Sequence, residues 1–192
     1  MLSSLSSLKQ HVLFDGLDDA TDWDTQLQTV GESVLAQFER HTNRRLTRTV
    51  DEAYRRSGGI DCLILRALPV ESIGTLSLNG DDLSADNIRY WDAPSGMVQF
   101  ESYLGTPRDL ITLNHTGGYW VDANDDVSEL PSGATVVPSD LLHAWHLQVQ
   151  ATIEFTNLLY SGAARPDGET SPALPGLTEA VTHLLRPYRR NS

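Results

Sequence analysis

Hydrophobic positions follow two different spacings along the chain, and the changes of spacing divide it into regions. Between positions 22 and 43 apolar residues recur every three or four positions, which predicts a helix docked by one face. Between positions 46 and 119 short apolar runs alternate with turn sequences such as Asn79-Gly80-Asp81, which is typical of antiparallel strands. From position 138 the helical spacing returns. The pattern therefore predicts helices on either side of a β region.

The longest predicted helix runs from Pro138 to Tyr160. Proline is favoured at the first helical position, and Asp140 places a carboxylate near the positive end of the helix dipole. The apolar residues form two stripes: Leu142, Trp145, Val149 and Ile153 on one, and Leu141, Ala144, Ala151, Phe155 and Leu158 on the other. A helix that is apolar on two sides is expected to pack on both, within one domain or between subunits.

These elements predict an α+β fold in which a helical core carries an inserted antiparallel β module. Residues 1–45 are expected to form the N-terminal helices, residues 46–119 the β module, and residues 120–192 an acidic loop, the long helix, a Gly/Pro-rich linker and a last helix that begins near Pro175. Strands are predicted at CLILR, VESIG, TLSL, IRYW, MVQF and LITLNH. After the last of them, Gly117-Gly118 predicts a sharp turn.

The charge of the chain limits what it can bind. Its 192 residues include 26 Asp and Glu against 14 Lys and Arg, a formal net charge of −12. Because nucleic-acid phosphates are held chiefly by cationic surfaces, this balance argues against a protein that grips DNA or RNA. An acidic lining around a DNA pore stays compatible with it.

Cysteine content and hydropathy predict where the protein is made. Cys62 is the only cysteine, so the fold does not depend on an internal disulfide. The first 14 residues have neither the basic start nor the apolar core of a signal peptide, and no run reaches the roughly 18 apolar residues that span a membrane. We therefore expect a soluble protein that is made in the cytoplasm and has no membrane contact.

The acidic stretch before the long helix begins like a calcium-binding loop, with oxygen-bearing side chains at Asp122, Asn124 and Asp126. The position that requires glycine is Val127, and the position that requires glutamate is Gly133. The stretch is therefore predicted to be a solvated acidic loop.

Histidines are the other candidates for metal chemistry. His143 and His146 lie three positions apart on the long helix, where His115 of the β region could join them. The sequence has no HExxH motif, no Gly-rich phosphate loop and no Ser or Cys nucleophile signature. We expect no metal, no cofactor and no catalytic residue, and hence no enzyme.

Several segments in order resemble the head-tail connector (adaptor) family of tailed bacteriophages, the small proteins that stack beneath the portal. The segments are the N-terminal helical pair LSSLKQHV and DWDTQLQTVGESVLAQFERHTNRRL, the strand ending LITLNHTGGY, the helix VPSDLLHAWHLQVQATIEF and the closing LPGLTEAVTHLLRPYRR. The region from Leu46 to His115 is longer than the hairpin of the smallest members and resembles the β module of larger adaptors.

The resemblance implies a non-enzymatic structural virion protein in the neck between capsid and tail. It implies a homo-oligomeric ring, a dodecamer that follows the twelvefold portal, with DNA passing through the centre without sequence-specific binding. The implied partners are the portal protein, a head-closure or tail protein on the other side, and further copies of this chain.

Two sets of contact residues follow from the resemblance together with the residue pattern. The subunit-packing set on the long helix is Leu142, Trp145, Val149, Ile153 and Phe155. The portal-binding set in the C-terminal segment is Leu184, Leu185, Pro187, Tyr188, Arg189 and Arg190. Because a Gly/Pro-rich linker precedes this segment, we expect it to be a docking element that becomes ordered on the portal.

Two other functions are compatible with the sequence. One is a tail-side completion protein of the same particle, similar to a stopper or a tail terminator. The other is a small metal-binding or hydrolase domain that uses the histidines or the acidic loop.

Overall fold

The chain forms two compact units in the computed structural model, and each is described separately. The structure describes residues 1–12, 24–121, 128, 130–160 and 176–189, without the side chains of 156–160. The first unit comprises Met1–Asn43, Val121–Val127 and Val137–Ser192, and the second comprises Arg44–Trp120 and Ser128–Val136. The fold is α+β, as predicted, and its described part contains four α-helices and two larger antiparallel sheets.

The first unit is helical. Its helices are α1 (Leu5–Val12), α2 (Asp24–Thr42), α3 (Ser139–Tyr160) and α4 (Glu179–Leu185), and a 3-10 turn (Arg186–Tyr188) follows α4. Helix α3 packs against α1, α2 and α4. The predicted long helix is thus the common neighbour of the other three.

Two helix starts differ from their predictions. Helix α3 begins at Ser139, and the Pro138 carbonyl accepts the Leu142 N–H at 2.9 Å, so Pro138 precedes the first helical residue. Helix α4 begins at Glu179 because the Thr178 side chain accepts the Val181 N–H and caps it. Position 22, where the helical spacing was predicted to begin, lies outside the described residues.

Among the described residues of the helical unit, Trp145 is the largest side chain that is fully buried. Its indole Nε1 donates a hydrogen bond to the Gly31 carbonyl of α2 at 3.2 Å. A Cβ added to Gly31 would lie 3.0 Å from Cζ2 of the indole, so glycine at this position lets α2 approach the ring closely. Val34 and Phe38 of α2 are fully buried as well.

The second unit consists of two antiparallel sheets and a short parallel pair. The strands are β1 (Thr49–Ser57), β2 (Ile60–Ile64), β3 (Val70–Leu78), β4 (Asp81–Leu83), β5 (Ile88–Asp92), β6 (Met97–Leu104), β7 (Leu110–Gly117), β8 (Tyr119–Trp120) and β9 (Thr135–Val136). The sheet orders are β1-β7-β3-β4, β2-β6-β5 and β8-β9. The predicted runs VESIG and TLSL form one strand, β3, whose register against β7 shifts between Ile73 and Leu76.

One hydrophobic cluster joins the two larger sheets. It contains Leu63, Leu65, Leu68, Val70, Leu76, Val98, Phe100, Leu104, Ile111 and Leu113. Because both sheets contribute, each buries one face against the other. Residues 128–136, which the sequence pattern grouped with the C-terminal region, belong to this unit, where β9 pairs with β8.

The chain turns sharply after β7, as the glycine pair predicts. Gly118 has φ +95°, a conformation that favours glycine, and it donates its N–H to the Pro69 carbonyl at 2.9 Å. A Cβ on Gly118 would overlap the Thr47 carbonyl oxygen. Both the dihedral angle and the close backbone approach therefore require glycine here.

His115 is the buried ionisable group of strand β7. It is 2% exposed, and neither ring nitrogen has a hydrogen-bond partner among the described residues. Burial lowers the pKa of His115 below its ordinary value, while the charge of Glu52, its cross-strand neighbour on β1, acts in the opposite direction. The folded unit therefore favours a neutral imidazole.

Replacement of Gly118 by alanine tests the packing of this turn. Gly80 is the matched control, because it has φ +93° and a Cβ there would meet nothing within 4 Å. Both substitutions carry the cost of a positive φ, about 1 kcal/mol. In urea unfolding, Gly118→Ala should lower the free energy of unfolding by roughly a further 1–3 kcal/mol, because the added Cβ also overlaps Thr47. Equal losses in the two variants would mean that the overlap is relieved without cost.

Acid should destabilise the β unit through His115. The unfolded chain, with a histidine pKa of about 6.5, binds more protons than the folded chain, so stability falls as the pH drops below that value. His115→Leu should reduce this loss of stability at low pH. The measurement is urea unfolding, monitored through hydrogen exchange of the β7 amides. The control is His143→Leu, since His143 is exposed on α3. A pH dependence that His115→Leu leaves unchanged would contradict the assignment.

Candidate interaction site on the helical unit

The C-terminal segment is packed against α3. Gln148 of α3 is fully buried, and its amide makes two hydrogen bonds to the start of the segment. Its Nε2 donates to the Gly176 carbonyl at 3.3 Å, and its Oε1 accepts the Thr178 N–H at 3.0 Å. Val181 and Leu185 of α4 are fully buried. The described part of this segment is thus packed on α3, and its predicted ordering on the portal stays a prediction.

The residues predicted to bind the portal lie in different environments. Leu185 is a core residue, and Leu184 is half-buried. Pro187 and Arg189 are exposed, while the half-buried Tyr188 donates its hydroxyl to Asp140 Oδ1 at 2.6 Å. Arg190 lies outside the described residues. The exposed part of this set thus follows the last turn of α4.

The residues predicted to pack between subunits also separate into two groups. Trp145 and Val149 are fully buried inside the unit, and they support α3 from within. Leu142, Ile153 and Phe155 are half-buried and keep part of their apolar surface accessible. The sequence prediction did not include Leu147, which is 37% exposed on the same helix.

A basic pocket lies at the ends of two helices. Its lining is His41, Thr182, His183, Arg186 and Arg189, and its volume is about 160 Å³. His41 belongs to the last turn of α2 and His183 to the last turn of α4, where cations interact favourably with the helix dipole. Arg189 belongs to the predicted portal-binding set, but no sequence pattern connects it with His41.

The histidines of the long helix do not converge on a metal. His143 is exposed, whereas His146 is 4% exposed and its ring stacks on that of His11 with centroids 3.9 Å apart. In the described ranges, no three His, Cys, Asp or Glu side chains are grouped as a metal site. Asp122, Asn124 and Asp126 lie outside those ranges.

The contact between Ser3 and His146 brings together a hydroxyl and an imidazole, the groups of a nucleophile and its general base. Ser3 Oγ lies 3.3 Å from His146 Nε2. Ser3 and His146 are each only 4% exposed, so a substrate has no access to the hydroxyl. The pair is therefore a buried structural contact between the N-terminal residues and α3.

Comparisons with known proteins identify the fold. No family model and no curated protein matches the chain. A chain in the structure titled "Neck of empty GTA particle computed with C6 symmetry" matches with TM-score 0.62 and 20% identity, over 98% of this chain and 89% of that chain. A chain in "Virion of native gene transfer agent (GTA) particle" matches with TM-score 0.62 and 16% identity over the same shares.

The likeness extends over both units of the chain, and at these identities it is a likeness of fold. The chain therefore shares its α+β fold with chains found in the structures of gene transfer agent particles.

Among the helices of the described part, none is long and apolar enough to cross a membrane.

Proposed function

We propose that this chain is a structural protein of the neck of a phage-like particle, a head-tail connector (adaptor) that forms a ring beneath the portal. The observation that carries the proposal is the fold likeness to a chain of a gene transfer agent neck, since it covers 98% of this chain. The order of the segments that resemble the adaptor family supports the same function.

The proposed ring contains twelve copies that contact one another through α3. The half-buried Leu142, Ile153 and Phe155, together with the exposed Leu147, supply apolar surface for this contact. Trp145 and Val149 contribute indirectly, because they fix the helix from inside. A twelvefold ring is also compatible with the C6 symmetry with which the similar neck structure was computed.

The net charge of −12 suits a channel through which DNA passes. An acidic lining repels phosphates and does not hold the strand, so DNA moves without sequence-specific contacts. The proposed partners are the portal protein on one side and a head-closure or tail protein on the other. In the C-terminal segment, Leu184, Pro187, Tyr188 and Arg190 are the proposed portal contacts, whereas Arg189 lines the basic pocket. The proposed location is the virion, after synthesis in the host cytoplasm.

A tail-side completion protein, similar to a stopper or a tail terminator, is the second candidate. A ring of six copies is as compatible as a ring of twelve with the C6 symmetry with which the similar neck structure was computed. The two candidates differ in the number of copies and in the neighbour above the ring.

An electron cryo-microscopy map of the particle neck, calculated without imposed symmetry, distinguishes these functions. We expect twelve copies of this chain in a ring directly below the portal, with the end of α4 at a protein contact. Six copies on the tail side would favour the completion protein. A neck without density for this chain would contradict both.

A further inference from the structure

The basic pocket, defined above by His41, Thr182, His183, Arg186 and Arg189, is unusual on this chain. It gathers two guanidinium and two imidazole groups on a protein with a net charge of −12. Arg186 and Arg189 are exposed, so their charged groups are accessible from outside. The pocket therefore offers a local positive surface on an acidic molecule.

Two arginines of the β unit are paired with carboxylates of that unit, unlike the arginines of the pocket. Arg48 forms a two-point contact with Glu71 at 2.7 and 2.9 Å, and Arg45 pairs with Glu52 at 3.0 Å. Within the described part of the chain, neither Arg186 nor Arg189 forms an ion pair. The planar donor forks of two exposed arginines suit an external oxyanion.

The chemistry of the lining selects an oxyanion. Guanidinium forks bind carboxylates and phosphates through paired N–H donors, and the Thr182 hydroxyl adds a further donor. The volume of about 160 Å³ is well below the roughly 300–1,000 Å³ of sites for small molecules. It suits a single charged side-chain group.

A carboxylate of a protein suits this pocket better than the backbone of DNA. Duplex DNA brings one charge for about every 1.7 Å of its axis, and most of these charges would face an acidic surface. A single carboxylate needs only local complementarity.

We infer that the basic pocket binds an Asp or Glu side chain of a second copy of this chain. The inference rests on the proposed ring. Copies with a net charge of −12 repel one another, and cations of one copy placed against acids of the next offset this repulsion beside the apolar contact of α3. In a head-to-tail ring, each copy presents its pocket to one neighbour and an acidic surface to the other.

The experiment compares self-association of the full chain by sedimentation velocity over a concentration series. The test variant is Arg186→Glu with Arg189→Glu. The matched control is Arg55→Glu with Arg56→Glu, which changes the charge equally at two exposed residues of β1. The test variant should need at least roughly tenfold more protein for half-association, and the control should behave as the wild type. Thermal unfolding establishes that both variants are folded.

A mixing experiment separates loss of the pocket from general damage. The test variant keeps its acidic surface, so it should still occupy the pocket of a wild-type copy. Fluorescently labelled test variant should therefore sediment with excess unlabelled wild-type protein and not with itself. A folded variant that binds neither would contradict a head-to-tail contact through this pocket.

Two further results would overturn the inference: association of the test variant at wild-type concentrations, or a wild-type protein that stays monomeric throughout the series. If the test variant self-associates normally but no longer attaches to particles, the occupant is a different protein. In each of these cases the neck map tests the proposed function independently. A ring seen there with the pocket empty of a neighbouring copy leaves the proposed function standing and removes the inference.

Discussion

Burial of one face of the long helix α3 is the constraint on which the helical unit depends. Trp145 is fully buried against Gly31, and its indole N–H is satisfied by the Gly31 carbonyl. Leu141 and Val149 are buried on the same helix. Since buried apolar surface supplies the main favourable term in folding, and α1, α2 and α4 all pack on α3, loss of this face would remove the common neighbour of three helices.

The polar groups of α3 determine what the unit presents to partners. Gln148 fixes the start of α4, and Asp140 accepts the hydroxyl of Tyr188 beyond its end. Between these two points the segment carries His183 and Arg186 to the C-terminal turn of α2, where the basic pocket forms. A surface that is already ordered binds a partner without the ordering cost of a disordered segment. The described part of the C-terminal segment is thus held on α3 by contacts at both of its ends.

The sequence predicted elements better than it predicted contacts. Helical spacing in α2 and α3 and the Gly117-Gly118 turn were visible because each depends on local chemistry. The sequence showed apolar residues on two sides of α3, but periodicity does not distinguish a core from an interface. It therefore did not reveal that Trp145 is buried within its own subunit while Ile153 stays partly exposed. The pocket was missed for a related reason: His41 and Arg186 are distant in sequence, and only the packing of α2 and α4 brings them together.

Hydrogen exchange of the amides of α2 and α4 in Trp145→Ala tests most directly whether α3 organises the helical unit. Removal of a buried tryptophan costs about 3–5 kcal/mol, so both helices should exchange roughly a hundredfold faster or more than in the wild type. The control is Leu147→Ala, which alters a residue that is 37% exposed on the same helix and should leave exchange in α2 and α4 nearly unchanged. Wild-type protection of α2 and α4 in Trp145→Ala would contradict the central role of α3.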